Sequence, residues 1–514
     1  MSALLHHTIF QSMAKDQTFT FFNFHYLCYS LFTLSTLSSI SFLYWSHCSK
    51  PCEKPDITSI PSLQNQSINL LSFPSAWNHL QFPPNMPPKL LKIALFVKRW
   101  PHQNLVGGLE RHALTLHLSL ARRGHELHIF TTSSSNISYT TYPKTNISFH
   151  LSQPSPGGYL DQAKAWEQFQ IHNSSGKPFD VIHTESVSLR YTRARKIPNV
   201  VVSWHGIAYE TIHSDIVQDL LRSPEDPHLP MLMERLPKVI EEVKFFPNYA
   251  HHVATSDHVG DVLKRIYMIP DERVHIILNG IDEDIYTLNP KRGHDFQLKF
   301  GVPEHETLVM GMAGRLVKDK GHPIMYQALK EIFTEKATYM KSVFVLIAGE
   351  GPWAHRYRDL GSNVIILGAL DQTQLAGFYN SLDVFVNPTL RAQGLDHTLL
   401  EAMMSGVAVM GTRFASITGS LIVGPEIGYT FLPTVASLKK ALYRVIRDGR
   451  DVLSRKGEVG RRRSMKLFTA TKMVAAYERL FLCISEDLVR EVSESVDYCR
   501  CQLPSGYIGQ TIGF

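Results

Sequence analysis

The sequence predicts an α/β protein of two Rossmann-like, doubly wound halves facing a cleft, and three observations carry that prediction. From Lys89 onward, short apolar runs alternate with stretches of helical periodicity. The alternation runs through two series, separated by a segment at residues 273–286. At 514 residues the chain is longer than one hydrophobic core usually serves, so two domains plus appendages are expected. Strands alternating with helices imply parallel sheets with crossover connections.

In the first series "KIALFV" (92–97) reads as a buried strand. A Gly turn follows, then the helical "LERHALTLHLSLARRG", then "ELHIFTT" as the next strand. "FDVIHTE" (179–185) and "PNVVVSWHG" (198–206) continue the series, each ending in polar residues, and the carboxyl ends of parallel strands are where ligands bind. Residues 207–250 read as helices bordering the cleft, and "RVHIILNGIDEDIY" (273–286) as a connection with an Asn-Gly turn. The second series comprises "LVMGMAGRL", the helical "HPIMYQALKEIF", "VFVLIAGEGP", "NVIILGAL", "DVFVNPT" and "GVAVMGT". A last helix, about Thr469 to Leu482, sets Met473, Val474, Tyr477, Leu480 and Phe481 on one face. The expected domains are therefore 89–286 and 287–482, with a C-terminal tail at 483–514.

Composition fits a folded body: 44% of residues are hydrophobic and 19% charged, with no long polar tract. The net charge of +6 is dispersed, and its densest run, "GRRRSMK" (460–466), lacks the interleaved aromatics that stack bases. It reads as a solvated turn, and no nucleic-acid partner is expected. Cys28, Cys48 and Cys52 precede the body, and Cys483, Cys499 and Cys501 follow it. The body therefore needs no disulfide and offers no cysteine zinc site, and "CRC" (499–501) reads as an incidental tail pair.

Ahead of the body, residues 1–16 form a tail. No Lys, Arg, Asp or Glu occurs from Gln17 to Ser49, so 17–46 is expected to be a transmembrane signal anchor, uncleaved for want of a small-x-small site. Lys15 on one flank against Lys50 and Lys54 on the other leaves the orientation open. Sequons at Asn65, Asn136, Asn146 and Asn173 lean toward a lumenal glycoprotein, with a cytosol-facing or soluble protein as the alternative. Residues 47–88, rich in proline, read as a stem.

Four motifs carry chemistry. "VGGLERH" (106–112) places Gly107 and Gly108 between a strand and a helix, where backbone N–H groups can meet an anion. "WHGIAYE" sets His205 just after a strand, able to donate or accept at neutral pH. "GMAGRLVKDKGH" (311–322) brings Arg315 and Lys320 into a glycine-flanked turn. "RAQGLDHTLLEAMMSG" (391–406) sets Gln393 eight residues before Glu401. Each has a plainer alternative: a tight turn, a structural histidine, a solvated basic turn, or a helix-capping box from Thr398 to Glu401. No Asp-x-Asp pair suggests a Mg or Mn site.

Taken in order, these motifs resemble those of retaining GT-B glycosyltransferases of family 4 type (glycosyl transferases group 1), over roughly Lys92 to Leu482. The resemblance implies a GT-B fold and transfer of a sugar, hexosyltransferase-like, from a nucleoside-diphosphate donor, a UDP-sugar by family precedent, with retention. It implies that the 107–108 loop, Gly394 and Leu395 hold the donor, and that Arg315 and Lys320 contact its phosphates in place of a metal. Glu401 would bind the ribose, and His205 would lie at the sugar. The nucleotide sugar is then a co-substrate and no cofactor is expected; the acceptor is not legible.

Two positions depart from the family. Gln393 stands where a second Glu is usual and keeps an acceptor without the charge. Asp396 stands where Gly is common; it would repel a diphosphate or else restore the charge missing at 393, with His397 facing the phosphate. The alternative is thus a weakened or inactive donor-binding scaffold of the same fold, and a phosphorylase or hydrolase fits less well. With the anchor, the expected location is a single-pass Golgi or endoplasmic reticulum membrane with a lumenal body.

Overall fold

The computed structural model describes residues 67–82, 87, 89–100, 108–132, 145–156, 158–225, 227–228, 230–303, 308–335, 342–392, 394–487 and 497–502. The expected tail (1–16) and anchor (17–46), together with Asn65, Asn136, Gly107 and Gln393, lie outside them.

A short strand β1 (Ser67–Asn69) precedes the first sheet. That sheet comprises β2 (Lys92–Phe96), β3 (Glu126–Thr132), β4 (Ile147–Ser152), β5 (Val181–Glu185), β6 (Val200–Trp204), β7 (His251–Ala254) and β8 (Val274–Ile276), in the order β4-β3-β2-β5-β6-β7-β8. Every pairing in it is parallel. The second sheet holds β9 (Leu308–Ala313), β10 (Val343–Ala348), β11 (Val364–Gly368), β12 (Val384–Asn387), β13 (Ala408–Thr412) and β14 (Gly428–Phe431), in the order β11-β10-β9-β12-β13-β14, again all parallel. Parallel strands are covered on both faces, which is why β5, β6, β10, β12 and β13 are buried at every position and read as continuous apolar runs. Strand order reverses between β2 and β5 and between β9 and β12, and such switch points open a crevice at the strands' carboxyl ends.

The helices used below are α1 (Gly108–Arg122), α2 (Ala208–Leu220), α3 (Met231–Phe245), α4 (His322–Glu335), α5 (Gln372–Asn380), α6 (His397–Met404), α7 (Val435–Leu467) and α8 (Ala470–Asp487). α7 kinks at Gly449, where φ is 70°.

Four sequence expectations need correction. The expected stem (47–88) is not all a linker, because Leu70, Phe73, Trp77 and Leu80 within it are buried in one cluster with Leu91 and Ile93 of the first lobe. Residues 273–286 are not wholly a connection, because Val274 and Ile276 bury themselves as β8 beside β7. "GRRRSMK" is not a turn: it lies inside α7, where Gly460 and Ser464 are buried and Arg463 donates to the Ser420 carbonyl. The closing helix α8, assigned by sequence to the second half, packs Met473, Tyr477, Leu480 and Phe481 with Leu91, Ile93, Leu116 and Val201 of the first. Arg123 holds both oxygens of its Glu478, at 2.7 and 2.8 Å. Beyond it, Cys483 is disulfide-bonded to Cys499, and β15 (Arg500–Gln502) pairs antiparallel with β1.

To return, the chain crosses between the lobes beside its own earlier crossing. Ile281 N donates to Phe468 O (2.8 Å) and Ala470 N to Ile281 O (2.9 Å). Gly280 permits the approach, since a Cβ there would fall 2.5 Å from the Thr469 carbonyl oxygen. Buried Asn78 ties the same junction together: it accepts from Leu278 N (2.7 Å) and donates to the carbonyls of Leu278 and Leu467. Among the described residues no helix is long and apolar enough to cross a membrane.

Candidate active site

A cleft of about 820 Å³ opens where the carboxyl ends of both sheets meet. It collects the start of α1, the ends of β5 and β6, and the loops after β9, β10 and β12. Of the expected site residues, Gly108, His205, Arg315, Lys320, Gly394, Leu395, Asp396 and Glu401 all line it.

The cations come first. Arg315 follows Gly314 (φ 125°), is exposed, and its guanidinium has no hydrogen bond or ion pair among the described residues. Lys320 ends a single turn closed by Gly321 (φ 78°), a position that a Cβ would drive 1.7 Å from the Pro388 carbonyl oxygen. Its ammonium donates to Asp396 Oδ2 at 3.2 Å. Asp396 Oδ1 accepts from Thr398 N (2.9 Å) and Thr398 Oγ1 (2.6 Å), so Asp396 is the N-cap of α6. Burial opposes its charge, but Lys320 and Thr398 outweigh burial and hold the carboxyl well below the usual range. Asp396 thus carries a paired charge, and a capping box from Thr398 to Glu401 does not form. The adjacent His397 is pushed down to about 3, chiefly by burial, and is therefore neutral. A Cβ at Gly108 would stand 3.1 Å from His397 Nδ1, so glycine lets the two lobes touch there.

Glu401 is 1% exposed, with one partner on each oxygen. One oxygen takes Arg111 of α1 across the cleft, and the other accepts from Tyr379 Oη at 2.7 Å. Burial raises its carboxyl above the usual range, and Arg111 is the largest force opposing that rise. Arg111 was quoted within the glycine motif without being assigned a part; its place one turn into α1, three residues after Gly108, was the available signal.

Beneath His205 lies a carboxylate that sequence reading passed over. Glu185, the last residue of β5, is wholly buried and accepts from His205 Nε2 at 2.6 Å. With Nε2 donating, His205 keeps Nδ1 as an acceptor. His112 Nε2 stands 3.9 Å from the other Glu185 oxygen, and its ring centroid is 4.5 Å from that of His205. Despite the burial, which opposes its charge, these histidines hold Glu185 well below the ordinary range.

Behind this pair runs a buried hydrogen-bond chain whose direction is fixed at one end. His117 Nδ1 must donate to the Ala113 carbonyl (2.7 Å), so its Nε2 accepts from His183 Nδ1 (2.9 Å). His183 Nε2 then accepts from Ser203 Oγ (2.8 Å), which accepts from Tyr477 Oη (2.8 Å), leaving that oxygen to receive His112 Nε2 at 3.5 Å. Burial keeps His183 neutral, its value pushed down to about 3. The nitrogens of His112 and His205 and a Glu185 oxygen lie within 4.8 Å of one another, so this group could also hold a metal ion.

α2 holds the backbone amides of Ala392 and Gly394. Ser214 Oγ accepts from Ala392 N (2.8 Å) and Glu210 Oε1 from Gly394 N (3.3 Å). Glu210 is fully buried and is pushed up to about 8 by that burial, so it is a neutral carboxyl at pH 7.

Fold and cleft together define a protein of two Rossmann-like lobes with cations lining the cleft between them. Residues 106–285 match the family model Glycosyltransferase Family 4, and residues 307–448 match Glycosyl transferases group 1. The two matches follow one another along the chain, the first over the first lobe and the second over the second, and support a glycosyltransferase of GT-B fold. An uncharacterized glycosyltransferase of Methanocaldococcus jannaschii is 24% identical over 62% of this chain and 80% of its own. A sucrose-phosphate synthase of Thermosynechococcus elongatus superposes with TM-score 0.60 at 20% identity, covering 76% of this chain and 99% of its own. An Anabaena protein crystallised with UDP and glucose gives 0.55 at 16% identity, covering 76% and 99%. These relatives come from an archaeon and two bacteria, which have no Golgi. With no membrane-crossing helix among the described residues, the expected Golgi or endoplasmic reticulum membrane location is therefore overturned.

Proposed function

We propose that this glycosyltransferase uses a UDP-sugar and transfers the sugar to an acceptor hydroxyl with retention of configuration, without a metal or other cofactor. The observation that carries the reading is a cleft lined by Arg315, with its guanidinium unpaired, and by Lys320, beside a glycine-started helix N-terminus. The bond from the anomeric carbon to the diphosphate breaks and the diphosphate departs with the electron pair. The acceptor oxygen bonds to the same face, and its proton passes to a leaving phosphate oxygen. Arg315 and Lys320 take up the charge developing on the diphosphate. Gly108, Gly394 and Leu395 shape the donor's seat.

Glu401 binds the ribose with the lone pairs that Arg111 and Tyr379 leave free. His205, its Nδ1 an acceptor because Glu185 holds Nε2, receives a hydrogen bond from the sugar or the acceptor hydroxyl. Gln393 stands in sequence between Ala392 and Gly394, which Ser214 and Glu210 hold, and at the position the family gives to the sugar-contacting residue. The UDP choice rests on the Anabaena complex and on family precedent.

Calorimetry of UDP, GDP and ADP on the whole chain, followed by hydrolysis and transfer assays with the matching sugar nucleotides, tests the reading. Tight UDP binding that weakens in Arg315→Ala, with turnover and a product of unchanged anomeric configuration, is the expected result. Absence of binding to all three nucleotides overturns it.

A further inference from the structure

We propose that His128, His150 and His172 form a binding site for a divalent transition-metal ion of zinc type. None of the three lines the cleft. In the β3–β4 register His128 pairs with Ser148 and Phe130 with His150, so both histidines project from the same face of the sheet. His128 Nδ1 is 2.9 Å from His150 Nε2. His172, in the last turn of the helix Gln162–Ser174, lies across them with its ring centroid 4.2 Å from that of His150. One nitrogen from each residue falls within 4.8 Å of the others.

An independent observation points the same way. Glu126 Oε1 takes His128 Nε2 at 2.8 Å, which places the proton on Nε2 and turns the Nδ1 lone pair toward the other two rings. A carboxylate behind an imidazole in this manner is the usual outer support of a histidine metal ligand. The position of His172 adds a further term, because the carbonyls ending a helix favour a cation.

Stacking of His150 on Phe130 (4.5 Å) and the edge-on contact of His128 with Phe179 (5.1 Å) account for aromatic rings here but do not call for three imidazoles and a carboxylate. Lys92 opposes a further positive charge, though its ammonium is turned to the Lys177 carbonyl at 2.9 Å. Three imidazoles select zinc, cobalt, nickel or copper over magnesium or calcium, with solvent completing the sphere at the half-buried His150 and His172. A bound ion would fasten the edge strand β4 and the helix over it to β3.

The test uses the full chain, stripped with a chelator and titrated with Co(II), read by its visible absorption, and with Zn(II) by calorimetry. One ion per chain is expected. Binding should be lost in His150→Gln and His172→Gln and weakened about 10-fold in Glu126→Gln, while Glu185→Gln keeps it. Thermal unfolding of each stripped variant establishes that it folds, and zinc should raise the wild-type midpoint but not that of His172→Gln. No stoichiometric binding, unchanged binding in the two histidine variants, or loss in Glu185→Gln instead would each overturn the site.

Discussion

Arg315 is the cleft cation with nothing to give up on binding a donor, whereas Lys320 must exchange Asp396 for phosphate. Arg315→Ala is therefore expected to weaken UDP binding about 10- to 100-fold by calorimetry, the loss of a charge-assisted contact. Lys320→Ala should cost no less: the lysine contact is weaker because it must give up Asp396, but its removal leaves the Asp396 carboxylate without its cation to repel the diphosphate. Glu185→Gln keeps the shape behind His205 and removes the acceptor that fixes Nε2 as the donor, so Nδ1 is no longer held as the acceptor for the sugar or acceptor hydroxyl. The expectation is a fall in kcat on the order of 100-fold with UDP affinity retained. Glu210 gives a pH signature. The folded chain holds a proton on it that the unfolded chain releases above the ordinary carboxylate range. Its contribution to stability is full below that range and is lost as pH rises from there through about 8. Melting curves at about pH 5.5 and about pH 8.5 should show a smaller loss in Glu210→Gln than in wild type; an equal loss would count against a buried proton.

Among the elements, the strands were legible where parallel pairing buries both faces, as in "KIALFV" and "ELHIFTT". β4 was not, because as an edge strand it is only half-buried and its polar Ser148 and His150 break the apolar run. β8, at three residues, is too short to show a period. The site divides on the same principle. Gly108, Arg315, Lys320 and Glu401 announce themselves in contiguous motifs. The bonds that give Arg111, Glu185 and Glu210 their meaning span 290, 20 and 184 residues, distances over which local pattern carries nothing. Asn78 is the sharpest case, one polar residue among many in the expected stem, yet it fixes a junction near residues 278 and 467. Asn78→Ala should lower unfolding free energy by about 2–3 kcal/mol in urea titrations, since it strands buried carbonyl and amide groups.

At the scale of the molecule, α8 makes the first lobe dependent on the chain's end. Each large apolar side chain it buries is worth about 1.5–3 kcal/mol, and removing the helix would also strand Arg123 and the apolar face of α1. A chain ending at Leu467 is expected to lose cooperative unfolding of the first lobe, which circular dichroism on heating would register. Neither periodicity nor the apolar face of α8 said which sheet it would cover, because an amphipathic stripe specifies burial and not a partner.

The paired crossings at Ile281 and Thr469 also bear on motion. Two strands of chain, hydrogen-bonded to each other and passing side by side, cannot be twisted independently as a single tether can. Rotation of one lobe about the long axis of the connection would shear the bonds from Ile281 to Phe468 and Ala470, whereas bending both crossings together leaves them intact. The joint is a door hinge and not a swivel: it has one soft degree of freedom, and that freedom sets the mouth of the cleft.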